Sequence, residues 1–359
     1  MFSYNHYVGI FKSKAGEFSA LTNLSSETKL NFTPFIDIID PIFSEDEPEK
    51  LDEYLKKIAQ KIFRSWGIEY PIFSDLTDFK LSDRTSEGIH LVNYFHSLCS
   101  EKGISCIPTT GLDRDTAYNK AVLSVKDKIL GVCIRLLYDD IVIPTELNFN
   151  LGLILEELKL DKDEVHILID FKSIKLDKIN LTIDLAINAI NTLGEDGWRS
   201  ITVACSSMPQ SLSEQIKPND LGLIPRCEYI VWKNLLKNSE KLCRLPSFGD
   251  YGVVHPDQLD LDPRLIANTI CPSIRYTIDE EWVIVRGRPF AKFGYEQYYD
   301  LAEKIVNCGY FYGPEFSYGD GLIEEKSRKI PTTGNPQKWI TIGTNHHIAV
   351  VTEQLKGYK

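Results

Sequence analysis

The sequence predicts an α/β protein built as a (β/α)8 barrel of the TIM type, with an insertion after strand eight and a C-terminal extension. Three observations carry that expectation. Residues 131–171 hold two short apolar, β-branched runs, GVCIRLL and VHILIDF, separated by the helical pattern PTELNFNLGLILEELKL. A strand, a crossover helix and a second strand in that span force the two strands to lie parallel. Eight such strand candidates recur at spacings of about 25 to 40 residues, and eight is the count that closes a barrel of this kind. No Gly-rich phosphate turn follows the first strand, which disfavours an open doubly wound sheet.

Taken in order, residues 6–11 form an apolar strand ending at Lys12, and GEFSAL starts a short helix. TPFIDII is the second strand, carries Asp37 and is broken by Asp40-Pro41. LDEYLKKIAQKIFRSW then shows the helical stripe Leu51, Leu55, Ile58, Ile62 and Phe63. YPIFSDL is the third strand, with Asp75 at its end, and its helix GIHLVNYFHSLCSEKG closes on Gly103. ISCIPTT is the fourth, followed by a helix over 115–126. GVCIRLL and VHILIDF are the fifth and sixth, and INLTIDLAINAINTL is the helix after them. SITVACS reads as strand seven, 210–216 as a weak helix and CEYIVWK as strand eight.

This assigns residues 1–245 to the barrel strands and most of its helices. Residues 246–294 form the inserted loop and a hairpin, SIRYT with EWVIVRG, turning at Ile278-Asp279-Glu280. Residues 295–359 supply the closing barrel helix YEQYYDLAEKIVNCG, the loops FYGPEFSYGDGL and TTGNPQKW, and a last helix from about Asn345 packed on the barrel.

Hydrophobic residues at 43% and charged ones at 25% allow a large ordinary core. The net charge of −11 argues against broad nucleic-acid binding, which rests on Lys/Arg clusters, while leaving room for a local basic pocket. Eight scattered cysteines without a CxxC pair read as reduced structural thiols, so neither a disulfide framework nor a zinc cluster is expected. No apolar run reaches the ~18 residues that span a bilayer, and MFSYNHYVGIFK lacks a basic leader, so a cytosolic location is expected.

Chemistry in such barrels sits at the C-terminal ends of the strands. Side chains alternate along a strand, so Val132, Ile134 and Leu136 turn outward and Cys133 and Arg135 inward. By the same count Asp37 and Asp170 point in, Lys12 and Asp75 end their strands, and Glu228 shares a strand face with Trp232. Asp37, Asp75 and Asp170 are therefore the candidate catalytic residues, as an acid/base set or as oxygen ligands for Mg²⁺. Lys12 and Arg135 are candidate ligands for an anionic substrate, and Arg275 joins them from a hairpin cluster with Arg286, Arg288, Tyr276 and Trp282. The plainer alternatives are internal ion pairs, Lys12 with Asp37 and Arg135 with Asp170, and solvated hairpin charges. His346-His347 reads as an exposed pair at the start of the last helix, and Gly319-Asp320-Gly321 and Gly249-Asp250 as plain turns.

Nearly the whole chain resembles the Beta protein family of phages and prophages. The landmarks are HYVGIFKSKAGEFSALTNL with TPFIDI, YPIFSDL, CIRL, HILIDF, FGDYG and SIRYT, with Asp37 standing where relatives tend to carry Glu. The resemblance implies a phage-related antiviral setting of the Gop-Beta-Cll type, with other proteins of a defence operon as partners. It brings no catalytic residues with it. Two functions are carried forward: a pocket for an anionic nucleotide or phosphoester, hydrolytic with or without a metal, and a noncatalytic sensor or regulator that binds a phage component or restrains a partner toxin.

Overall fold

Alternation along the strands decides what fills the ring and what covers it. The computed structural model describes residues 2–41, 48–195, 197–257 and 270–358. Seven parallel strands follow one another in order: β1 (Tyr7–Lys12), β2 (Phe32–Asp37), β3 (Ile72–Asp75), β4 (Cys106–Gly111), β5 (Val132–Leu137), β6 (Val165–Ser173) and β7 (Ser200–Ser206). The next strand, β8 (Leu221–Pro225), leaves the ring, which β9 (Ser247–Asp250) closes by pairing with both β7 and β1. The chain thus forms the closed (β/α)8 barrel. Outward Val132, Ile134, Leu136, Val165, Ile167 and Ile169 pack under the helices. Inward Val8, Ile10, Phe35, Phe73, Cys133 and Leu168 fill the lumen with apolar volume, which leaves the strand C-termini as the place for polar groups.

Strand eight is therefore not CEYIVWK. That run is a helix, Cys227–Lys237, burying Glu228, Val231, Trp232 and Leu235 at helical spacing. A short run rich in β-branched and aromatic residues carries no periodicity that separates a buried helix from a strand. Glu228 and Trp232 share a helix face instead. The true eighth strand, SFGD, has one large apolar residue and gives little signal. It needs Gly249, because a Cβ there would sit 2.8 Å from Ala204 Cβ on β7. The expected helix at 210–216 shrinks to a single 3-10 turn, Leu212–Glu214.

The hairpin forms as expected, from β10 (Ser273–Thr277) and β11 (Glu281–Arg286). β8 then adds antiparallel to β11 and makes a three-stranded sheet. Helix Gln297–Asn307 does not close the barrel but covers this sheet, setting Tyr298, Leu301 and Ile305 against Ile274, Tyr276 and Val283. FYGPEFSYGDGL leads into a helix, Tyr318–Ser327, rather than remaining a loop. TTGNPQKW likewise starts the C-terminal helix Pro336–Lys356, capped by the Asn335 side chain on Lys338 N–H. Trp339 and Ile342 of that helix enter the sheet's core, whereas Ile348, Val351 and Leu355 enter the barrel's.

His346 and His347 lie buried at its centre rather than exposed at its start. His346 Nε2 stands 2.7 Å from the Thr277 carbonyl and Nδ1 stands 2.8 Å from Asp320, whose other oxygen accepts from Tyr276 at 2.7 Å. Each ring nitrogen of His346 thus faces an acceptor, and Asp320 ties the helix to Tyr276 of the sheet. His347 bridges Asp250 and Thr277 at 2.8 Å each. Neither Gly-Asp stretch is a turn: Asp320 lies in a helix and Asp250 in β9. Asp320→Ala should lower stability by about 1 to 3 kcal/mol by leaving the buried Tyr276 hydroxyl and His346 ring without their shared acceptor, read from urea unfolding. A midpoint equal to wild type would show that these bonds add nothing to stability.

Among the described residues no helix is long and apolar enough to cross a membrane. Cys99, Cys106, Cys133, Cys205, Cys227, Cys243 and Cys308 are free thiols.

Candidate functional site

Parallel register sets Lys12, Asp37 and Asp75 side by side at the rim, and Arg135 on β5 reaches across the lumen toward them. Its Nη1 donates to Asp37 Oδ1 at 2.8 Å and to Asp75 Oδ2 at 3.0 Å. Nε donates to Asp170 Oδ2 at 2.9 Å, Nη2 reaches the same oxygen at 2.7 Å, and Nη2 also donates to the Tyr251 hydroxyl at 2.9 Å. A guanidinium has five N–H donors; four make hydrogen bonds here, and Nη2 adds an ion-pair contact to Asp170. The Phe35 ring supports it from 5.2 Å.

The three carboxylates are not equivalent. Asp170 accepts the Tyr251 hydroxyl at 2.6 Å and the Lys172 N–H at 2.8 Å, besides Arg135. Asp75 accepts Thr77 N–H at 3.1 Å, Tyr118 at 3.3 Å and Arg114 at 3.2 Å. Both side chains are wholly buried, while Asp37 keeps 19% of its side chain exposed. Burial raises the Asp37 pKa above the usual carboxylate value, the Arg135 charge opposing and Asp75 adding to the rise. Lys12 is buried, with its ammonium 3.4 Å from the His255 carbonyl. Burial, then Lys14, pull its pKa down to about 8.

Above this floor opens a cavity of about 450 Å³ walled by Lys12, Asp37, Asp75, Arg135, Lys172 and Tyr251, among others. Of the six sequence candidates, five meet here. Arg275 stands apart, on the wall of a neighbouring cavity that also includes Lys12. The rest of its hairpin cluster disperses: Arg286 holds the Ile216 carbonyl, Arg288 lies over Phe293, and Tyr276 and Trp282 are buried. Arg135 and Asp170 do form an ion pair. Lys12 turns to a carbonyl rather than to Asp37.

The three aspartates do not fit Mg²⁺. Their inner oxygens converge on the guanidinium, which stands where a cation held by all three would sit, and no set of three metal-ligating side chains occurs among the described residues. The residues missed from sequence are Arg114, Tyr118 and Tyr251. Tyr251 follows β9, whose weak signal hid it, although FGDYG was visible as a landmark. Arg114 sits in GLDRD, the loop after β4, which strand position alone marks as rim.

With this geometry in hand, the family model described as Beta protein matches residues 7–353, from the first residue of β1 into the C-terminal helix. The chain belongs to the Beta protein family. The match spans barrel, inserted sheet and closing helix, so the Arg135 hub lies within the family's shared extent. No curated protein matches the sequence.

Proposed function

We propose that this Beta family barrel binds a small anionic ligand of the nucleotide or phosphoester type at its mouth and hydrolyses it, in the phage-related antiviral setting that the family resemblance implies. The observation that carries the reading is the asymmetry of the rim. All three aspartates hold Arg135, but Asp75 and Asp170 are wholly buried, while Asp37 keeps part of its side chain exposed on the cavity beside Lys12. Asp37 takes a proton from a water whose oxygen attacks the phosphorus. The bond to the leaving oxygen breaks as the Lys12 ammonium protonates that oxygen, and solvent returns the proton from Asp37 to Lys12. Arg135, Asp75 and Asp170 position Asp37 and do not touch the ligand.

The pH profile follows from these roles. Activity needs Asp37 ionised and Lys12 protonated, so it should rise as pH passes the raised Asp37 pKa and fall above about 8 as Lys12 loses its proton. With bis(4-nitrophenyl) phosphate as probe, a bell-shaped profile whose alkaline limb disappears in Lys12→Ala supports the mechanism. Turnover that is flat across that range, or absent from the wild-type chain, removes it.

A noncatalytic sensor is favoured by one observation, the bonding of Arg135 to three aspartates and Tyr251, which is how a structural hub looks. In that case deleting residues 272–288 costs partner binding while the barrel stays folded.

A further inference from the structure

The mouth has a second lobe whose charge balance is the reverse of the first. The inner cavity counts five aspartates against Lys12, Arg135 and Lys172. The adjoining one, about 680 Å³, is lined by Lys12, Lys14, Lys61 and Arg275 against Glu17 and Asp257 among the described residues. Lys12 stands on the wall between them.

Arg275 comes from β10 of the inserted sheet. Its Nη1 donates to the Val253 carbonyl at 2.6 Å, and its Nε is buried with no partner. Arg135, by contrast, makes four hydrogen bonds and three ion pairs. Burial lowers the Arg275 pKa to about 10, with Tyr298 and Glu17 opposing. A buried cation without a close counter-ion is costly, and Lys12 repeats the pattern on the same wall. Two such cations facing one cavity describe a place for an anion. The first turn of helix Ala15–Thr22 adds to it: Ala15 and Gly16 line the cavity, which sets the positive end of the helix dipole against it. Glu17, 4% exposed on the same wall, has its pKa raised by burial.

We propose that the outer lobe is a phosphoryl subsite, in which Arg275, Lys12 and the N-terminus of helix Ala15–Thr22 grip the anionic group of the ligand across the seam between barrel and inserted sheet. This rests on the reading of the mouth as a ligand site and fixes its polarity: the phosphoryl group not undergoing reaction lies toward the inserted sheet, and the reacting bond lies over Asp37. A ligand of this shape carries at least two phosphoryl groups, or a phosphoryl group and the ester that is cut.

The test is binding of inorganic phosphate and of pyrophosphate to the full chain, measured by calorimetry and by the shift of the thermal midpoint, with chloride at equal ionic strength as control. Both should bind the wild-type chain, and Arg275→Gln should weaken them by about tenfold or more, the loss expected for one charge-assisted contact. Lys61→Gln, a change on an exposed helix position, should weaken them by about twofold to threefold through charge alone, which keeps the test open if Arg275→Gln does not fold. Asp37→Asn should bind at least as tightly as wild type. No midpoint shift with either anion, or equal affinity in the wild-type, Arg275→Gln and Lys61→Gln chains, overturns the subsite. Loss of phosphate binding with hydrolysis of the diester probe intact would sink this proposal alone. Binding intact with no hydrolysis would sink the catalytic reading alone.

Discussion

Arg135→Met should destabilise the chain more than any other single change at the rim, by about 5 kcal/mol at neutral pH, the upper end for breaking a buried ion pair. Methionine keeps the aliphatic stem but not the guanidinium that lies over Phe35, so the main loss is electrostatic, with a smaller loss of packing. Asp37, Asp75 and Asp170 would face one another without the guanidinium that now bonds all three. Burial and mutual repulsion then raise their folded pKa values above the unfolded carboxylate range near 4. Groups shifted in that direction take up protons on folding, so the penalty is largest above the raised values and shrinks as pH falls through them. Urea midpoints should therefore separate variant from wild type widely at about pH 7.5 and converge toward about pH 5. A pH-independent difference would mean that the hub contributes packing and not charge.

Asp37→Asn should behave in the opposite manner, leaving the fold and removing the chemistry. Asparagine's carbonyl still accepts from Arg135 Nη1, and the side chain is the one of the three with exposure to the cavity. Stability should change by no more than about 1 kcal/mol, while hydrolysis of the diester probe falls by about 10² to 10⁴, the usual contribution of a positioned acid/base group. In cells, phage plating should rise to the level seen without the protein. Asp75→Asn supplies the contrast, because it disturbs bonds to Arg135, Arg114, Tyr118 and Thr77 together and lowers stability and activity in parallel. Hydrolysis and protection both retained in Asp37→Asn would leave the aspartates as scaffold and favour the sensor.

These contrasts mark what could be read along the chain. The alternation of GVCIRLL and VHILIDF was enough to turn Arg135 and Asp170 into the lumen and to pair them, because in a parallel strand the direction of a side chain is a local property with a period of two. The strand-helix rhythm and the placing of Lys12, Asp37 and Asp75 at strand ends rest on the same kind of local signal. Ring closure does not. SFGD became a barrel strand through hydrogen bonds to β7 and β1, more than 40 residues and more than 230 residues away in sequence, and through a glycine small enough to approach Ala204. CEYIVWK lost that place to a helix because its burial pattern satisfies either form.

The sequence by itself determined a (β/α)8 barrel with charged residues pointing to its C-terminal rim. Only the tertiary structure decided how those charges are shared: that Arg135 is held by three aspartates and Tyr251, that Asp37 is the one of the three whose side chain stays partly exposed, and that Arg275 joins Lys12 from a sheet assembled out of β8 and a distant hairpin. The reason is that the state of a buried charge depends on its counter-ions, and here these come from strands and loops brought together only when the ring closes.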